Sequence, residues 1–135
     1  MSLKANEYSI RQTFKAASNV KTTTAQFAVA YISASMTVSV ASAAADDAVG
    51  IIEDCPSATC DNVSVIMHGI ATGKMLSGTT VAIGDWLAAS TFGSLIVALT
   101  TTTANQKIVG RALDVPASGG AVTIFVNICP GGTLV

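Results

Sequence analysis

The side chains that could support catalysis are few and scattered along this chain of 135 residues. His68 is the only histidine, and it lies in an apolar, strand-like stretch where a histidine is usually structural or on the surface. No serine is surrounded by the Gly-x-Ser-x-Gly motif of a nucleophile elbow, and no glycine pattern typical of phosphate or dinucleotide binding is present. We therefore predict that the protein is not an enzyme and has neither a catalytic site nor a cofactor.

Two pairs of neighbouring acidic residues provide the paired carboxylates that general acid–base chemistry would need. Asp46 and Asp47 fall in a small-residue loop, and Glu53 and Asp54 end a predicted strand. Adjacent acids in loops are usually solvated turn formers. We interpret both pairs as structural.

The three cysteines are Cys55, Cys60 and Cys129. Their odd number and the expected cytoplasmic synthesis favour free, mostly buried thiols, although a bridge across the short Cys55–Cys60 turn is geometrically feasible. The redox state therefore stays open. Together with His68 they make up a set that zinc could in principle use, but the C-x4-C spacing is at the edge of the usual range and no second close pair exists. We predict no metal site.

The composition indicates a neutral surface. Apolar residues make up 50% of the chain and charged residues 11%, well under the ~25% of ordinary soluble domains. The net charge of −1 does not predict a binding surface for nucleic acid. No apolar run approaches the ~18 residues of a membrane span, and no secretory signal is visible. A surface with so few charges is poorly protected against association, so we expect it to be covered by copies of the chain or by a larger assembly.

Short runs rich in Val and Ile, bounded by Gly, Asp, Pro and Ser, predict an all-β fold, a small antiparallel barrel or sandwich in one domain. The predicted meander occupies residues 78 to 128, and earlier strands fall near residues 27–32, 36–40, 49–54 and 63–71. Residues 1–25 carry most of the basic side chains and are predicted to form an extended arm with a short strand around residues 8–14, leaving residues 26–135 as the barrel domain. The arm is either a frayed terminus or a segment that becomes ordered on a partner.

A short internal sequence repeat links two parts of the chain. Ala48-Val49-Gly50-Ile51 resembles Ile108-Val109-Gly110-Arg111, and each copy is followed by a turn and a Val-rich strand. A glycine within a strand usually marks a bulge or a close backbone approach, and bulges let a sheet curl into a barrel. We therefore predict that the sheet curls at Gly50 and Gly110, through a bulge or a close backbone approach, in one pseudo-symmetric barrel.

Trp86 is the only tryptophan. We predict that it anchors the core of a hairpin beside Leu95 and Val97, because a large ring contributes much of the local apolar burial. The alternative is a contact residue at a subunit interface.

In order and spacing, the motifs resemble the capsid cement, or head decoration, proteins of tailed bacteriophages. The matching pieces span roughly residues 27 to 128 and are Ala48-Val49-Gly50-Ile51, His68-Gly69-Ile70-Ala71, Ile83-Gly84-Asp85-Trp86, Ile108-Val109-Gly110-Arg111-Ala112-Leu113 and Val122-Thr123-Ile124-Phe125-Val126. The N-terminal arm and the three cysteines depart from the family pattern.

This resemblance implies a β-rich homotrimer on the outer surface of the virion, bound where major capsid protein subunits meet. The alternative is a carbohydrate or host-surface binding module displayed on the virion, which the scarcity of aromatic residues disfavours. A minor enzyme subunit is a third candidate, and the missing catalytic groups disfavour it.

Overall fold

The computed structural model describes residues 9–22, 25–43, 46–53, 61–98, 106–115, 120–127 and 133–134. Their regular structure is all β apart from short 3-10 turns, one at Ser18–Val20 and one at Thr91–Gly93, so the predicted fold class is confirmed. The strands are β1 (Ile10–Ala16), β2 (Val29–Ala34), β3 (Thr37–Val40), β4 (Ala48–Ile52), β5 (Asn62–Lys74), β6 (Trp86–Ala89), β7 (Leu95–Val97), β8 (Gln106–Ala112), β9 (Ala121–Asn127) and β10 (Thr133–Leu134).

Five strands close a ring at the N-terminal end of the fold, which we call the first ring. Its strands follow the order β1, β3, β2, β4 and the first half of β5, and β5 pairs back onto β1. The pairings are antiparallel except that between β1 and β3, where Lys15 lies opposite Thr37 in a parallel arrangement. The ring leaves no free sheet edge between its first and last strands, which is how a barrel avoids unpaired backbone groups.

A second ring begins at the other half of β5. From His68 onward β5 pairs with β9, which pairs with β8, then β6, then β7. A parallel bridge between Met75 and Leu95 returns the path to the end of β5. The two rings therefore share one long strand, whereas the sequence predicted a single pseudo-symmetric barrel.

Corresponding backbone hydrogen bonds show that the rings are two copies of one strand arrangement. In each ring the same positions donate and accept. The bond from Ala17 N–H to Val38 O in the first ring corresponds to that from Leu76 N–H to Leu95 O in the second, and Ile52 N–H to Ala28 O corresponds to Ala112 N–H to Asp85 O. Likewise, Glu53 N–H to Ser64 O corresponds to Leu113 N–H to Thr123 O, and Ala41 N–H to Val29 O corresponds to Ala98 N–H to Trp86 O.

The predicted bends at Gly50 and Gly110 are confirmed and are equivalent. The register of β4 against β2 shifts beside Gly50, and that of β8 against β6 shifts beside Gly110. A β-carbon on Gly50 would collide with the carbonyl oxygen of Ile66, and one on Gly110 would collide with that of Phe125. Each glycine thus lets a neighbouring strand approach closely where the sheet bends.

Two buried clusters fill the structure. The smaller lies inside the first ring and includes Phe14, Val38 and Val65. The larger fills the second ring and extends onto the outer side of the first, because it combines Leu87 and Ile124 with residues of β2, β4 and β5. The rings therefore pack against each other through a continuous apolar interior.

Part of the segment predicted to be an arm is a strand of the first ring. Within residues 1–25, β1 pairs with both β3 and β5, and Phe14 points into the core. Residues 1–8 lie outside the described residues, so the division into an arm and a domain of residues 26–135 stays a prediction there. In the part of the chain that the structure describes, no helix has the length and apolar character needed to span a membrane.

Candidate functional site

The prediction that Trp86 anchors the core is wrong. Its side chain is 41% exposed, while that of the next residue, Leu87, is fully buried and lies opposite Val97. Successive residues of a strand point to opposite faces, so placing Leu87 inside the second ring turns Trp86 outward. The alternative interpretation, a contact residue at an interface, is the one this position permits.

Trp86 belongs to a row of three residues that crosses the outside of the second ring. Trp86 on β6 lies opposite Arg111 on β8, and Arg111 lies opposite Phe125 on β9. We call these three residues the exposed row. A cross-strand row places its side chains side by side on one face of the sheet.

The Arg111 guanidinium lies over the Trp86 ring and is held by a backbone hydrogen bond. Its central carbon is 4.5 Å from the centroid of the Trp86 ring, and its Nε donates a hydrogen bond of 3.1 Å to the carbonyl oxygen of Gly84. A guanidinium over an indole face is attracted by the ring quadrupole. The pair is thereby ordered, which lowers the entropy cost of covering it with a partner.

Two exposed apolar residues are close to the pair along the chain. Leu113 is two residues beyond Arg111 and faces the same way, and Ile83 precedes the turn that leads into β6; both are exposed. At the other end of the row, Phe125 meets His68 edge to face, with ring centroids 5.2 Å apart. The surface thus combines two aromatic rings and two aliphatic side chains with one cation, a composition typical of the contact residues at protein interfaces.

His68 lies on the surface of β5, which is one of the two positions expected for it. Its contact with Phe125 is an aromatic one. The described residues contain no group of three or more His, Cys, Asp or Glu side chains able to hold a metal. Cys55, Cys60 and Cys129 lie outside the described residues, so the predictions about thiols and zinc stay predictions.

The acidic residues that the structure describes have structural contacts. Asp46 accepts hydrogen bonds from the backbone N–H groups of Ser42 and Ala43 at 2.8 and 3.1 Å, as expected of a turn former. Glu53 pairs with Arg11 of β1. Asp47 lies 3.4 Å from the ammonium of Lys107, and Asp54 lies outside the described residues.

Lys74 has a pKa below the ordinary value of a lysine. Lys74 ends β5, and partial burial lowers the pKa of its ammonium group because removal from water disfavours the charged form. The exposed row does not include this residue.

A second exposed apolar feature lies where the two rings meet. Phe92, in the connection between β6 and β7, is highly exposed and borders a mainly apolar cavity of about 300 Å³. The cavity is also lined by Asn19, in the 3-10 turn after β1, and by Val40 of β3.

The fold is similar to that of a solved phage protein, the N base of the head fiber gp8.5 of bacteriophage phi29. The TM-score is 0.55 at 21% sequence identity, and the match covers 88% of this chain and 94% of that chain. A head-associated phage protein therefore has a fold similar to that of this chain. No family model matches the chain, and no curated protein does.

Proposed function

We propose that this chain is a structural protein of a phage head, a decoration or cement protein that binds the outer capsid surface as a homotrimer. Its sites on the shell are contacts between major capsid protein subunits, and binding stabilises the expanded shell. The observation that carries the proposal is the fold shared with the phi29 head fiber base over nearly the whole length of both chains.

The surface of the molecule supports this role. Charged residues make up 11% of the chain, and several large apolar side chains are exposed in the described residues. They are Ile10, Ile32, Met36, Ile83, Trp86, Phe92, Leu113 and Val115. A surface of this kind is better suited to being covered by protein than to standing alone in water.

The two-ring architecture supports it as well. Because both rings close on themselves and share β5, the body resists deformation and can bridge neighbouring subunits. A protein that binds only the expanded shell stabilises that state by mass action. Three linked copies on a threefold position would gain further by multivalency.

The proposal assigns the chain no catalytic activity. His68, the single histidine, contacts an aromatic ring at the surface, and the described acidic residues shape turns or pair with basic groups. Each of these contacts has a structural explanation.

The direct test is cosedimentation with capsids of the phage that encodes the chain. We expect saturable binding to expanded capsids and little binding to the unexpanded precursor. A glycan array run in parallel tests the alternative, a carbohydrate-binding module. Absence of capsid binding together with a glycan hit would reverse the assignment.

A truncation tests the contribution of the N-terminal arm to capsid binding. Deletion as far as Thr24 would remove β1 and open the first ring, so the informative variant lacks residues 1–8 alone and retains β1. We expect this variant to bind capsids more weakly. Binding equal to that of the full chain would show that residues 1–8 do not contribute to capsid binding.

A further inference from the structure

The internal duplication gives the exposed row a buried counterpart. In the first ring, Val29 lies opposite Ile51, and Ile51 lies opposite Ile66. We call these three residues the buried row. They occupy the positions that Trp86, Arg111 and Phe125 occupy in the second ring, as the corresponding hydrogen bonds of Val29 O and Trp86 O show.

The two rows differ in burial because of what covers them. Val29, Ile51 and Ile66 are 0%, 1% and 3% exposed, respectively, and all three belong to the cluster that fills the second ring. The following ring of the same chain thus covers the buried row. No third ring follows β9 within the described residues, so Trp86 and Arg111 of the exposed row are exposed and Phe125 is half-buried.

Part of this covering comes from the connection between β6 and β7. The N–H of Gly93 donates a hydrogen bond of 2.7 Å to the carbonyl oxygen of Ala41. A β-carbon on Gly93 would lie 2.5 Å from the β-carbon of Ala28 and 2.9 Å from the backbone nitrogen of Val29. The second ring therefore places the tip of its hairpin beside the start of the buried row.

The first ring has the same hairpin tip, and there it is exposed. Met36, in the turn between β2 and β3, occupies the position of Gly93, and both have positive φ, 48° and 69°. Met36 and Ile32 beside it are both exposed apolar residues. The chain thus has an uncovered row at one end and an uncovered apolar tip at the other.

We propose that the exposed row is a docking surface for a second copy of this chain, which places the β2–β3 tip of its first ring, Ile32 and Met36, against Trp86, Arg111 and Leu113. The contact follows the arrangement of the two rings within one molecule, where the tip of one ring lies beside the row of the other, but at a larger separation. It is a head-to-tail contact, so each copy offers one row and one tip.

The side chains at the two surfaces are chemically matched. Met36 has a flexible thioether where Gly93 has no side chain, so two copies cannot approach as closely as the two rings do. A methionine adapts its shape to an aromatic partner and makes favourable sulfur–ring contacts, and Trp86 offers such a ring. The tip turn contains no charged residue, so the Arg111 cation meets no opposing cation there.

The experiment measures the mass of the full-length chain by sedimentation velocity over a range of concentrations, with Trp86 emission recorded in parallel. Trp86 is the only tryptophan, so its emission should move to shorter wavelength as copies associate. Trp86→Glu and Met36→Asp should each weaken association at least tenfold, and Leu113→Asp provides a second variant on the same docking surface, beside the row. The matched control, Phe92→Asp, also places a charge on an exposed apolar residue, but outside both surfaces, and should associate like the unmodified chain.

Mixing the variants tests the head-to-tail geometry. Trp86→Glu retains an intact tip and Met36→Asp retains an intact row, so an equal mixture should form dimers that neither variant forms alone. The double variant should stay monomeric. The proposal is overturned if the unmodified chain is monomeric at every concentration, if folded Trp86→Glu and Leu113→Asp associate normally, or if the mixture forms no dimers. Capsid binding is not part of this readout: a chain that is monomeric in solution would contradict the proposed homotrimer as well, whereas the proposed attachment to the capsid is decided separately by cosedimentation.

Discussion

Gly50 and Gly110 hold the same position in the two rings, each directly beneath a backbone carbonyl of the neighbouring strand. The carbonyl belongs to Ile66 in the first ring and to Phe125 in the second. The close approach coincides with a register shift in both places. The duplication is thus visible at the level of single atoms as well as in the strand order.

This equivalence predicts that adding a methyl group at either glycine destabilises the fold to a similar extent. Gly50→Ala and Gly110→Ala should each lower the free energy of unfolding by about 2 kcal/mol or more, because the new β-carbon meets backbone that cannot move aside. Urea unfolding measures the change. Gly78→Ala is the comparison, since Gly78 has a positive φ of 84° but nothing within 4 Å of an added β-carbon. It should cost less than either, about 1 kcal/mol from backbone strain alone.

Truncation of the neighbouring residues Trp86 and Leu87 of β6 should lower the free energy of unfolding by different amounts. Leu87→Ala should destabilise the fold by about 2–5 kcal/mol, because it leaves a cavity in the second ring. Trp86→Ala should cost less, about 1–2 kcal/mol when measured on dilute protein, since the ring is partly exposed and fills no interior space. An equal loss at both positions would contradict the orientation of β6.

The first strand should prove essential to the first ring. Phe14→Ala should lower the free energy of unfolding by about 3–5 kcal/mol, because the side chain is buried among the residues of the smaller cluster. Ile10→Ala on the same strand is the matched control and should change it by no more than about 0.5 kcal/mol, because Ile10 is exposed. If Phe14→Ala were as mild as the control, β1 would not be part of the folded core.

The ion pair between Arg11 and Glu53 should make a modest, salt-dependent contribution. Both side chains are partly exposed, at 27% and 30%, so solvent screens their attraction and Glu53→Gln should cost roughly 1 kcal/mol or less. The cost should shrink in molar salt. Asp47→Asn removes the more exposed pair with Lys107 and is expected to have an effect close to zero in the same unfolding measurement.

Much of the fold could be predicted because the turns and strand ends depend on residues that are close together in the sequence. The turn at Ile83-Gly84, the short connection at Thr91–Gly93 and the alternation of Val63, Val65 and Met67 are determined by residues close together in sequence. The repeated glycine likewise indicated both bends. These features need no knowledge of distant contacts.

The sequence by itself determined an all-β chain, its strand positions and its internal repeat. Only the tertiary structure decided that β1 closes the first ring, that β5 serves both rings, and that Trp86 faces outward. The segment Trp86-Leu87-Ala88-Ala89 is apolar at every position, so alternation cannot tell the inner face from the outer one. That choice depends on the register of β6 against β7 and β8, and register is determined by contacts between residues far apart in the chain.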